Sequence, residues 1–513
     1  MADILLIMPQ ICRGPFEAAT ISWQNVPLGL LHISATCVQA GYTVKILDAR
    51  VDPHFQSAFQ RELNQDPIFV GFHAHLGTSI KSLCQLSKYV KSLHPEIPVV
   101  YGGVIASLNP YHVLAKKYVD YVVVNEGEIT ACELAEAIRH KKDISHIPGI
   151  AYRDNGEVRV NPERTYVDLD TMPLVAWDLI AQYRNSYMEL LSINNGIPLY
   201  GVSIMTSRGC PKKCPFCYNA SSFNRKFRAM SVDRVVSEVQ NLIVSMGTRN
   251  VNFIDDNFLI DRQRVTKIFQ RLDEHGIHIN FKCDARINDI DNEDFLKFLV
   301  EHGLKSLFLG VESGSRRVLN NARKGIDVEQ IYRVAALTKK YGISNTYSFI
   351  LGYRGEKKSD VSLSIKLADY LKDNDPFAFF DIGLYTPTFG TEEFENLNKQ
   401  YDFYPKDFEQ FKDCNWASVN FKPWLKPAHF YKNLFNALFI YFNPSYRLLS
   451  KARFFSPCLS FARFFTRGFK QWLGIRMRTS FWISLWEATF FRFMLTQTLI
   501  FFVNNHKNQG QNR

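Results

Sequence analysis

The chain has 513 residues, of which 46% are hydrophobic and 22% charged, a composition typical of globular proteins. This length is too great for one hydrophobic core and indicates about three domains. The net charge of +11 is uneven, because residues 420–513 contain 14 Lys and Arg residues and a single acid, Glu487. The preceding residues carry a charge of −2, so nucleic-acid binding by the whole chain is not expected.

The ten cysteines are scattered along the chain, which fits a reducing compartment better than a disulfide scaffold. The N-terminal residues Met1–Pro9 lack the basic segment of a signal peptide, and their apolar run is too short for one. A cytoplasmic protein is therefore expected.

Residues 1–140 alternate short apolar runs with stretches of helical spacing, near 28–40, 55–63, 78–92, 109–117 and 128–139. Such alternation predicts an α/β domain with a doubly wound, flavodoxin-like parallel sheet covered by helices on both faces. Ligands of these sheets bind at the carboxyl ends of the strands, where the strand order reverses. The predicted strands are Ile4–Met8, Thr43–Leu47, Ile68–Phe72, Val99–Tyr101 and Tyr121–Val124.

Polar and small residues follow three of these predicted strands. A pair of glycines lets a ligand or another backbone approach closely, although a plain tight turn explains such a pair equally well. The candidate ligand-edge residues are His73, His75 and Thr78 after the third strand, Gly102 and Gly103 after the fourth, and Glu126, Gly127 and Glu128 after the fifth. The two histidines are interpreted as pocket or surface residues.

Residues 141–195 are predicted to form a hairpin and a linker. Asn155-Gly156 lies between the alternating runs Ile150–Arg153 and Glu157–Val160, and Asn-Gly in this setting is a strong hairpin signal.

Residues 196–415 resume the alternation of strand and helix. Six units predict a partial (β/α)6 barrel, whose active site would lie at the C-terminal ends of its strands. Helical spacing recurs near 231–246, 261–275, 291–302, 327–341 and 359–372. The predicted strands are Val202–Thr206, Val251–Asp255, Ile279–Cys283, Ser306–Val311, Thr346–Leu351 and Phe380–Tyr385.

A loop with three cysteines, Cys210, Cys214 and Cys217, follows the first strand of this predicted barrel. Thiolates are the usual ligands of iron–sulfur clusters, which normally take four of them. Three protein ligands on a four-iron cluster would leave one iron open to a small molecule, which indicates an enzyme. A structural zinc site is the alternative, but it needs a fourth ligand, and none of the other cysteines forms a second paired motif.

The neighbouring strand ends supply further polar groups to the same mouth. Asp255 and Asp256 follow the second strand, Lys282 and Arg286 flank the third, and Glu312-Ser313 ends the fourth. Carboxylates can accept ribose hydroxyls, and an arginine can hold a carboxylate with two hydrogen bonds. A solvated loop or a helix cap is the alternative for any one of these acids.

The spacing of the three cysteines, with Phe216 before the third, resembles the signature of the radical S-adenosylmethionine (SAM) superfamily. The resemblance implies a [4Fe–4S] cluster on Cys210, Cys214 and Cys217, with SAM on the open iron. An electron from a reductant such as flavodoxin or ferredoxin would release a 5′-deoxyadenosyl radical that abstracts hydrogen from a substrate. The positions that match the family's SAM contacts are Phe216, Asp255, Asp256, Arg286, Glu312 and Ser313. No catalytic acid or base is assigned.

The N-terminal domain resembles the cobalamin-binding domain that precedes many radical SAM barrels. The resemblance implies that Gly102 and Gly103 lie beside the nucleotide tail of cobalamin, and that Glu126-Gly127-Glu128 forms the turn after the fifth strand. Asn125 replaces the usual first glycine of that turn. No histidine lies in Pro9–Pro15 after the first strand, so the lower face of cobalt is expected to hold water or no ligand.

Residues 416–513 are predicted to form a basic, aromatic, helical region. A basic helix with an aromatic face suits the surface of an anionic bilayer. Ser480–Val503 is interrupted by Glu487 and Arg492, so a transmembrane helix is less favoured. The other alternative is a helical cap over the barrel. The residues on the predicted aromatic face are Phe461, Phe464, Phe465, Phe469 and Trp472.

Together the resemblances imply a cobalamin-dependent radical SAM enzyme that methylates an unactivated carbon of a hydrophobic small molecule, such as a lipid, isoprenoid or tetrapyrrole. One SAM would supply the methyl group through cobalamin, and a second would supply the radical. An oxidative cyclase related to the anaerobic magnesium-protoporphyrin ester cyclase is one alternative. A radical SAM enzyme with an empty front domain and a non-enzymatic iron–sulfur sensor are the others.

Overall fold

The computed structural model of the chain describes residues 2–10, 25–75, 77, 79–194, 197–219, 225–375, 377–415, 421–426, 431 and 438. The predicted aromatic face at 461–472 and the segment 480–503 lie outside these residues. In the described part of the chain, no helix has both the length and the apolar character needed to cross a membrane.

The first sheet confirms the predicted doubly wound α/β fold. Its five parallel strands are Ile4–Met8 (β1), Val44–Asp48 (β2), Phe69–His73 (β3), Val99–Gly102 (β4) and Tyr121–Val123 (β5). They lie in the order β2-β1-β3-β4-β5, so the strand order reverses between β1 and β3. The helices around them are Leu28–Gln39, Phe55–Leu63, Ser79–Leu93, Val104–Leu108, Pro110–Leu114 and Glu128–Arg139.

Helices cover both faces of this sheet because successive strand residues point to opposite sides. Ile4 and Leu6 pack into one hydrophobic cluster, and Leu5 and Ile7 pack into another. Continuous apolar runs such as β1 are therefore what a doubly covered sheet requires.

The predicted hairpin forms, but it extends the first sheet rather than standing apart from it. Strands β6 (Ile150–Asp154) and β7 (Glu157–Val160) are antiparallel, and β6 pairs with β5 with Tyr121 opposite Tyr152. Asn155 and Gly156 both have positive φ, which the tight turn between the two strands requires.

The second sheet curls into a half-barrel. Its first two strands are Glu189–Asn194 (β8) and Ile197–Ile204 (β9), and they are followed by a separate two-stranded ribbon of Ser207–Arg208 (β10) and Arg228–Ala229 (β11). The remaining strands of the half-barrel are Asn250–Phe253 (β12), Asn280–Ala285 (β13), Leu304–Glu312 (β14), Thr346–Leu351 (β15) and Phe379–Leu384 (β16). The order is β16-β15-β14-β13-β12-β9-β8, and every pair is parallel except β8 with β9.

Helices alternate with the strands of the half-barrel, and several begin at a residue whose side chain accepts a backbone N–H, as Ser231, Asp261 and Asp327 do. The α-helices are Val232–Met246, Arg262–Glu274, Glu293–Glu301, Arg316–Asn321, Val328–Lys340, Lys358–Asn374 and Glu392–Tyr401. Short 3₁₀ segments are Trp177–Tyr187, Phe258–Ile260, Ile287–Asp289 and Phe408–Asp413.

The two sheets share hydrophobic cores. One cluster joins Leu31 of the first sheet's helices through Trp177 to Val202 and Phe253 of the half-barrel. The cluster on the other face of the first sheet includes Phe408 and three other phenylalanines from the segment that follows β16. The chain that leaves the half-barrel therefore packs back onto the N-terminal sheet.

Candidate functional site

The cysteine loop begins directly after β10. Gly209 has a φ of +81°, a conformation that side chains disfavour, and it turns the chain into Cys210. Cys210 is buried, whereas Cys214 and Cys217 are half-buried. The Cys217 N–H donates to the Cys214 carbonyl over 3.3 Å, and the Asn219 amide lies 3.7 Å from the Cys217 Sγ.

The chemistry of these three thiols fits a cluster better than a single metal ion. Among the residues that the structure describes, no three His, Cys, Asp or Glu side chains converge as ligands of one ion do. In a four-iron cluster each thiolate binds a different iron, so its ligands need not converge on a single point. Burial raises the pKa of Cys210 and of Cys217, so ionising either thiol there requires the positive charge that bound iron supplies.

An aromatic pair lies beside the loop. The ring of Phe216 meets that of Tyr353 edge to face, with centroids 6.1 Å apart. Tyr353 follows β15 and Tyr385 follows β16, and their rings lie 5.0 Å apart. Both hydroxyls are buried and have no partner in the described part of the chain. The sequence did not single out either tyrosine as a site residue.

The acids after β12 bind the base and the start of the cysteine loop. Asp255 is fully buried, and its Oδ1 accepts from the Thr206 N–H at 3.0 Å and from the Thr206 hydroxyl at 2.8 Å. The Oδ2 of Asp255 is buried without a partner among the described residues. Asp256 accepts from the Gly209 N–H at 3.3 Å and from the Tyr218 hydroxyl. A free, buried carboxylate oxygen at this position fits an amino group of a ligand.

Glu312 and Arg286 meet at a residue that sequence reasoning missed. The Glu312 Oε1 lies 2.5 Å from the Lys324 Nζ, and Arg286 donates to the Lys324 carbonyl. The Nε of Arg286 is buried without a partner in the described chain. Glu312 has a φ of +65°, strained for a residue with a side chain, at the point where β14 ends.

Ser313 is occupied by structural hydrogen bonds. Its hydroxyl lies 3.0 Å from the Ser364 hydroxyl and accepts the Ser315 N–H at 3.1 Å. Its predicted contact with SAM stays a prediction.

Charged side chains line the lumen of the half-barrel. Lys282 is 2% exposed, and burial lowers its pKa. On the same strand, burial raises the pKa of Asp284 to about 7, against the opposing effect of Lys282. Burial likewise raises the pKa of Asp381 to about 6. Strand alternation places Lys282 and Asp284 on the same face of β13, which identifies Asp284 as a lumen residue that the sequence did not single out.

At the ligand edge of the first sheet, the two glycines differ. A Cβ on Gly102 would meet no atom within 4 Å, whereas a Cβ on Gly103 would lie 2.9 Å from the Ala74 carbonyl oxygen. Gly103 also has a φ of +95°, so only glycine suits this turn. Open space beside Gly102 fits a ligand that lies along this edge. The predicted contact of Thr78 lies outside the described residues.

The turn after β5 binds the cysteine loop. Glu126 accepts from the Arg208 Nη1 at 2.9 Å, and Glu128 accepts from the Arg208 Nη2 at 2.6 Å. Gly127, which lies between the two acids, packs closely against Val123 and Ile33. The sequence predicts that these carboxylates contact cobalamin, and the structure pairs both of them with an arginine of the half-barrel. Arg208 could not be recognised from the sequence because its partners lie far away along the chain.

Comparison with known proteins identifies both halves of the chain. Residues 204–368 match the Radical SAM superfamily, and residues 18–135 match the B12 binding domain. The chain is 32% identical over 398 residues to an uncharacterized methyltransferase of Pyrococcus horikoshii, covering 76% of this chain and 82% of the relative.

Two other relatives and one solved structure extend this comparison. An anaerobic magnesium-protoporphyrin IX monomethyl ester cyclase of Synechocystis is 26% identical, covering 67% of this chain and 68% of the relative. A hopanoid C-3 methylase of Methylococcus capsulatus is 26% identical, covering 63% of this chain and 60% of the relative. The cobalamin-dependent S-adenosylmethionine radical enzyme OxsB has the same fold, with a TM-score of 0.72 and 16% identity over 93% of this chain and 72% of that one.

The three cofactors of this family match the donor groups described above. The cysteine loop offers thiols for a [4Fe–4S] cluster, and Asp255 offers an unpartnered carboxylate oxygen towards SAM. The edge beside Gly102 offers room for cobalamin. With its B12-binding domain, its cysteine loop and its half-barrel, the chain belongs to the cobalamin-binding branch of the radical SAM superfamily.

Proposed function

We propose that this radical SAM enzyme is a C-methyltransferase that acts on an unactivated carbon of a hydrophobic small molecule. The observation that carries the proposal is the direct attachment of the cobalamin-binding edge to the cysteine loop through Arg208. When bound, the cluster and SAM supply a hydrogen-abstracting radical, and cobalamin supplies a methyl group. A methyltransferase must bring these two sources to one substrate carbon, which the attachment favours.

The chain's own residues would divide the binding of the cofactors. Cys210, Cys214 and Cys217 would hold the cluster, and Asp255 would accept the SAM amino group through its free Oδ2. Glu312, held by Lys324, would accept ribose hydroxyls.

The remaining predicted contacts depend on neighbouring groups. Arg286 would pair with the SAM carboxylate, Asp256 would support the loop from below, and Phe216 would pack against the bound cofactor. Gly102 and Gly103 would line the path of the cobalamin tail. The proposed domain limits are 1–140 for the cobalamin-binding domain, 141–195 for the hairpin and linker, 196–415 for the radical SAM core and 416–513 for the aromatic tail.

The substrate class rests on two observations. The hopanoid C-3 methylase among the relatives acts, by its name, on a hopanoid. Residues 420–513 combine 24 aromatic residues with a charge of +13, a composition suited to an anionic membrane surface. We place the enzyme in the cytoplasm, with peripheral contact to the membrane through this tail, and expect a flavodoxin or ferredoxin as its reductant.

Isotope transfer tests the proposal while the substrate itself is still unidentified. Cells expressing the protein anaerobically would be fed methionine labelled with a CD3 group, and their lipid extracts compared with those of cells expressing Cys210→Ala. We expect a lipid whose mass rises by one CD3 group less one hydrogen, in wild-type cells alone. Label restricted to water-soluble products would contradict the hydrophobic substrate, and no labelled product would contradict methylation.

Oxidative ring closure is the second candidate, favoured by the ester cyclase relatives. A cyclase forms a ring without adding a carbon from SAM, so its product would lose hydrogens and carry no deuterium. The same extracts would separate the two reactions.

A further inference from the structure

The cysteine loop is closed at its base by two arginines. Strands β10 and β11 pair antiparallel, and this places Arg208 directly opposite Arg228. Residues 209–227, with all three cysteines of the loop, lie between these two positions. The base of the loop is therefore a two-stranded ribbon with a guanidinium on each strand.

Both guanidiniums bind the same carboxylate. Glu126 accepts from Arg208 at 2.9 Å through Oε1, and from Arg228 at 3.3 Å through Oε2. Arg228 also donates to the Val167 carbonyl at 2.8 Å and lies over the Tyr166 ring at 4.3 Å. Glu126 thus joins the two ends of the loop at a single point.

The ribbon depends on this carboxylate for its charge balance. Like charges directly opposite each other on paired strands destabilise the pairing. The side chains of Arg208, Glu126 and Glu128 are each less than a tenth exposed, so solvent screens their charges little. The two acids offset the two arginines, and loss of one acid would leave a buried positive charge without its partner.

Glu126 does not belong to the half-barrel. It lies in the turn between β5 and the helix Glu128–Arg139, at the carboxyl edge of the first sheet, where ligands of doubly wound sheets bind. The contact therefore fastens the ligand edge of one domain to the base of the metal-binding loop of the other.

We propose that Glu126 and Arg208 are positioning residues that set the distance between the cluster and the cobalamin. This inference rests on the proposed function for its purpose, but it concerns geometry that exists before any substrate binds. Catalytic groups that shift by about 1 Å can lose roughly 100-fold in rate, so a fixed separation has a large effect on methyl transfer.

Electron paramagnetic resonance tests the distance directly. In protein loaded with both cofactors and no substrate, the reduced cluster speeds the relaxation of the Co(II) form of cobalamin, and this enhancement falls steeply with distance. We expect Glu126→Gln and Arg208→Lys to bind wild-type amounts of iron and cobalamin but to lose most of the enhancement. Glu136→Gln, which removes an exposed carboxylate from the same domain, should behave like wild type.

Hydrogen exchange of the protein without cofactors gives a second readout. In both variants, amides at 124–129, 205–210 and 226–230 should exchange faster than in wild type, because the turn and the ribbon are no longer joined. If Glu126→Gln does not fold, Arg208→Lys carries the test by the same criteria, since it keeps the charge but loses the two-pronged contact.

Two results would overturn the proposal. One is unchanged relaxation enhancement in variants that hold both cofactors. The other is loss of iron from Glu126→Gln, which would mean that the carboxylate is needed to form the loop rather than to place it. A wild-type protein that transfers no methyl group yet shows the enhancement would contradict the proposed function and leave this inference intact.

Discussion

Burial of the cysteine thiols connects single residues to the chemistry of the site. Cys210 and Cys217 have raised pKa values because burial disfavours their charged forms. Neighbouring acids such as Asp256 add to this effect. A bound iron–sulfur cluster offsets both costs, so the loop is built to be stable with its thiolates on iron.

Removal of one thiol should therefore remove the cluster. Cys214→Ala is expected to lose bound iron and deoxyadenosine formation, by more than the roughly 10- to 100-fold loss in metal affinity that follows removal of a group hydrogen-bonded to a ligand. Iron analysis and chromatography of the nucleoside product measure the two effects. Cys84→Ala, which alters a buried cysteine of the first domain, is the control and should retain both. Full iron content in Cys214→Ala would contradict the assignment.

The lumen acid Asp284 should give stability a distinct pH dependence. Its pKa is raised to about 7, so between pH 4 and pH 7 the folded protein holds a proton that the unfolded chain has lost. Stability is therefore expected to fall as pH rises through this range and to level off above it. A difference of one pKa unit between the folded and unfolded chains corresponds to about 1.4 kcal/mol, which limits the size of the fall.

Asp284→Asn removes this titration. Denaturant unfolding at pH 5 and pH 8 should show a smaller fall in stability for the variant than for wild type. Lys282, Asp255, Asp256 and Glu189 face the same group and titrate in both proteins, so the comparison isolates Asp284. Equal falls in the two proteins would show that Asp284 ionises at its ordinary pKa.

Residues of the site were predictable where the signal is local. The three cysteines are defined by spacing within one loop, and the Gly102-Gly103 pair by its place after a strand. The partners of Glu126 and Glu312 were not predictable, because Arg208 and Lys324 are brought to them by the tertiary fold. A basic residue in a sequence does not indicate which acid it will meet.

Among the secondary-structure elements, the strands predicted for the two sheets all form, because long apolar runs with regular helices between them leave few alternatives. The half-barrel gains β8 as an antiparallel edge strand. Residues 189–194 have little hydrophobic alternation to indicate a strand, and Glu189 is buried by its pairing with Ser203 at 2.8 Å. Tertiary contacts, and not local propensity, decide this element.

The 3₁₀ segment Trp177–Tyr187 connects the first sheet to the half-barrel through a buried hydrogen bond. The Tyr187 hydroxyl donates to the Asp48 Oδ2 at 2.7 Å, at the end of β2. Arg50 lies 2.6 Å from the same oxygen. Asp48 is fully buried, so each of these contacts contributes to balancing its charge.

Tyr187→Phe should destabilise the protein by about 1–3 kcal/mol, because it removes a donor from a buried charged acceptor. Denaturant unfolding measures the change. Tyr200→Phe, at a side chain 42% exposed, is the matched control and should have little effect. A Tyr187→Phe protein as stable as wild type would mean that Arg50 alone satisfies Asp48.

Across the molecule as a whole, the segment that leaves the half-barrel holds the N-terminal domain. Phe408 packs on Tyr101, with ring centroids 6.0 Å apart, and Phe411 packs beside His112. Lys88 lies 2.7 Å from Glu409 across the same contact. The two halves should therefore unfold together.

Phe411→Ala should cost about 3–5 kcal/mol, the range for removal of a buried phenylalanine. Calorimetry should show one transition for wild type and a lower, broader or divided transition for the variant. Phe377→Ala, at a residue 40% exposed, is the control. Two separate transitions already present in wild type would contradict the shared core.

The proposed chemistry depends on the three-cysteine loop and the first sheet holding a cluster and a cobalamin that act together with SAM. The decisive measurement is a single anaerobic preparation analysed for iron, sulfide, zinc and cobalamin, and then assayed for deoxyadenosine after reduction with SAM. We expect a four-iron cluster, bound cobalamin and deoxyadenosine release that Cys214→Ala abolishes. Zinc in the loop, or a fully loaded protein that leaves SAM intact, would contradict this chemistry.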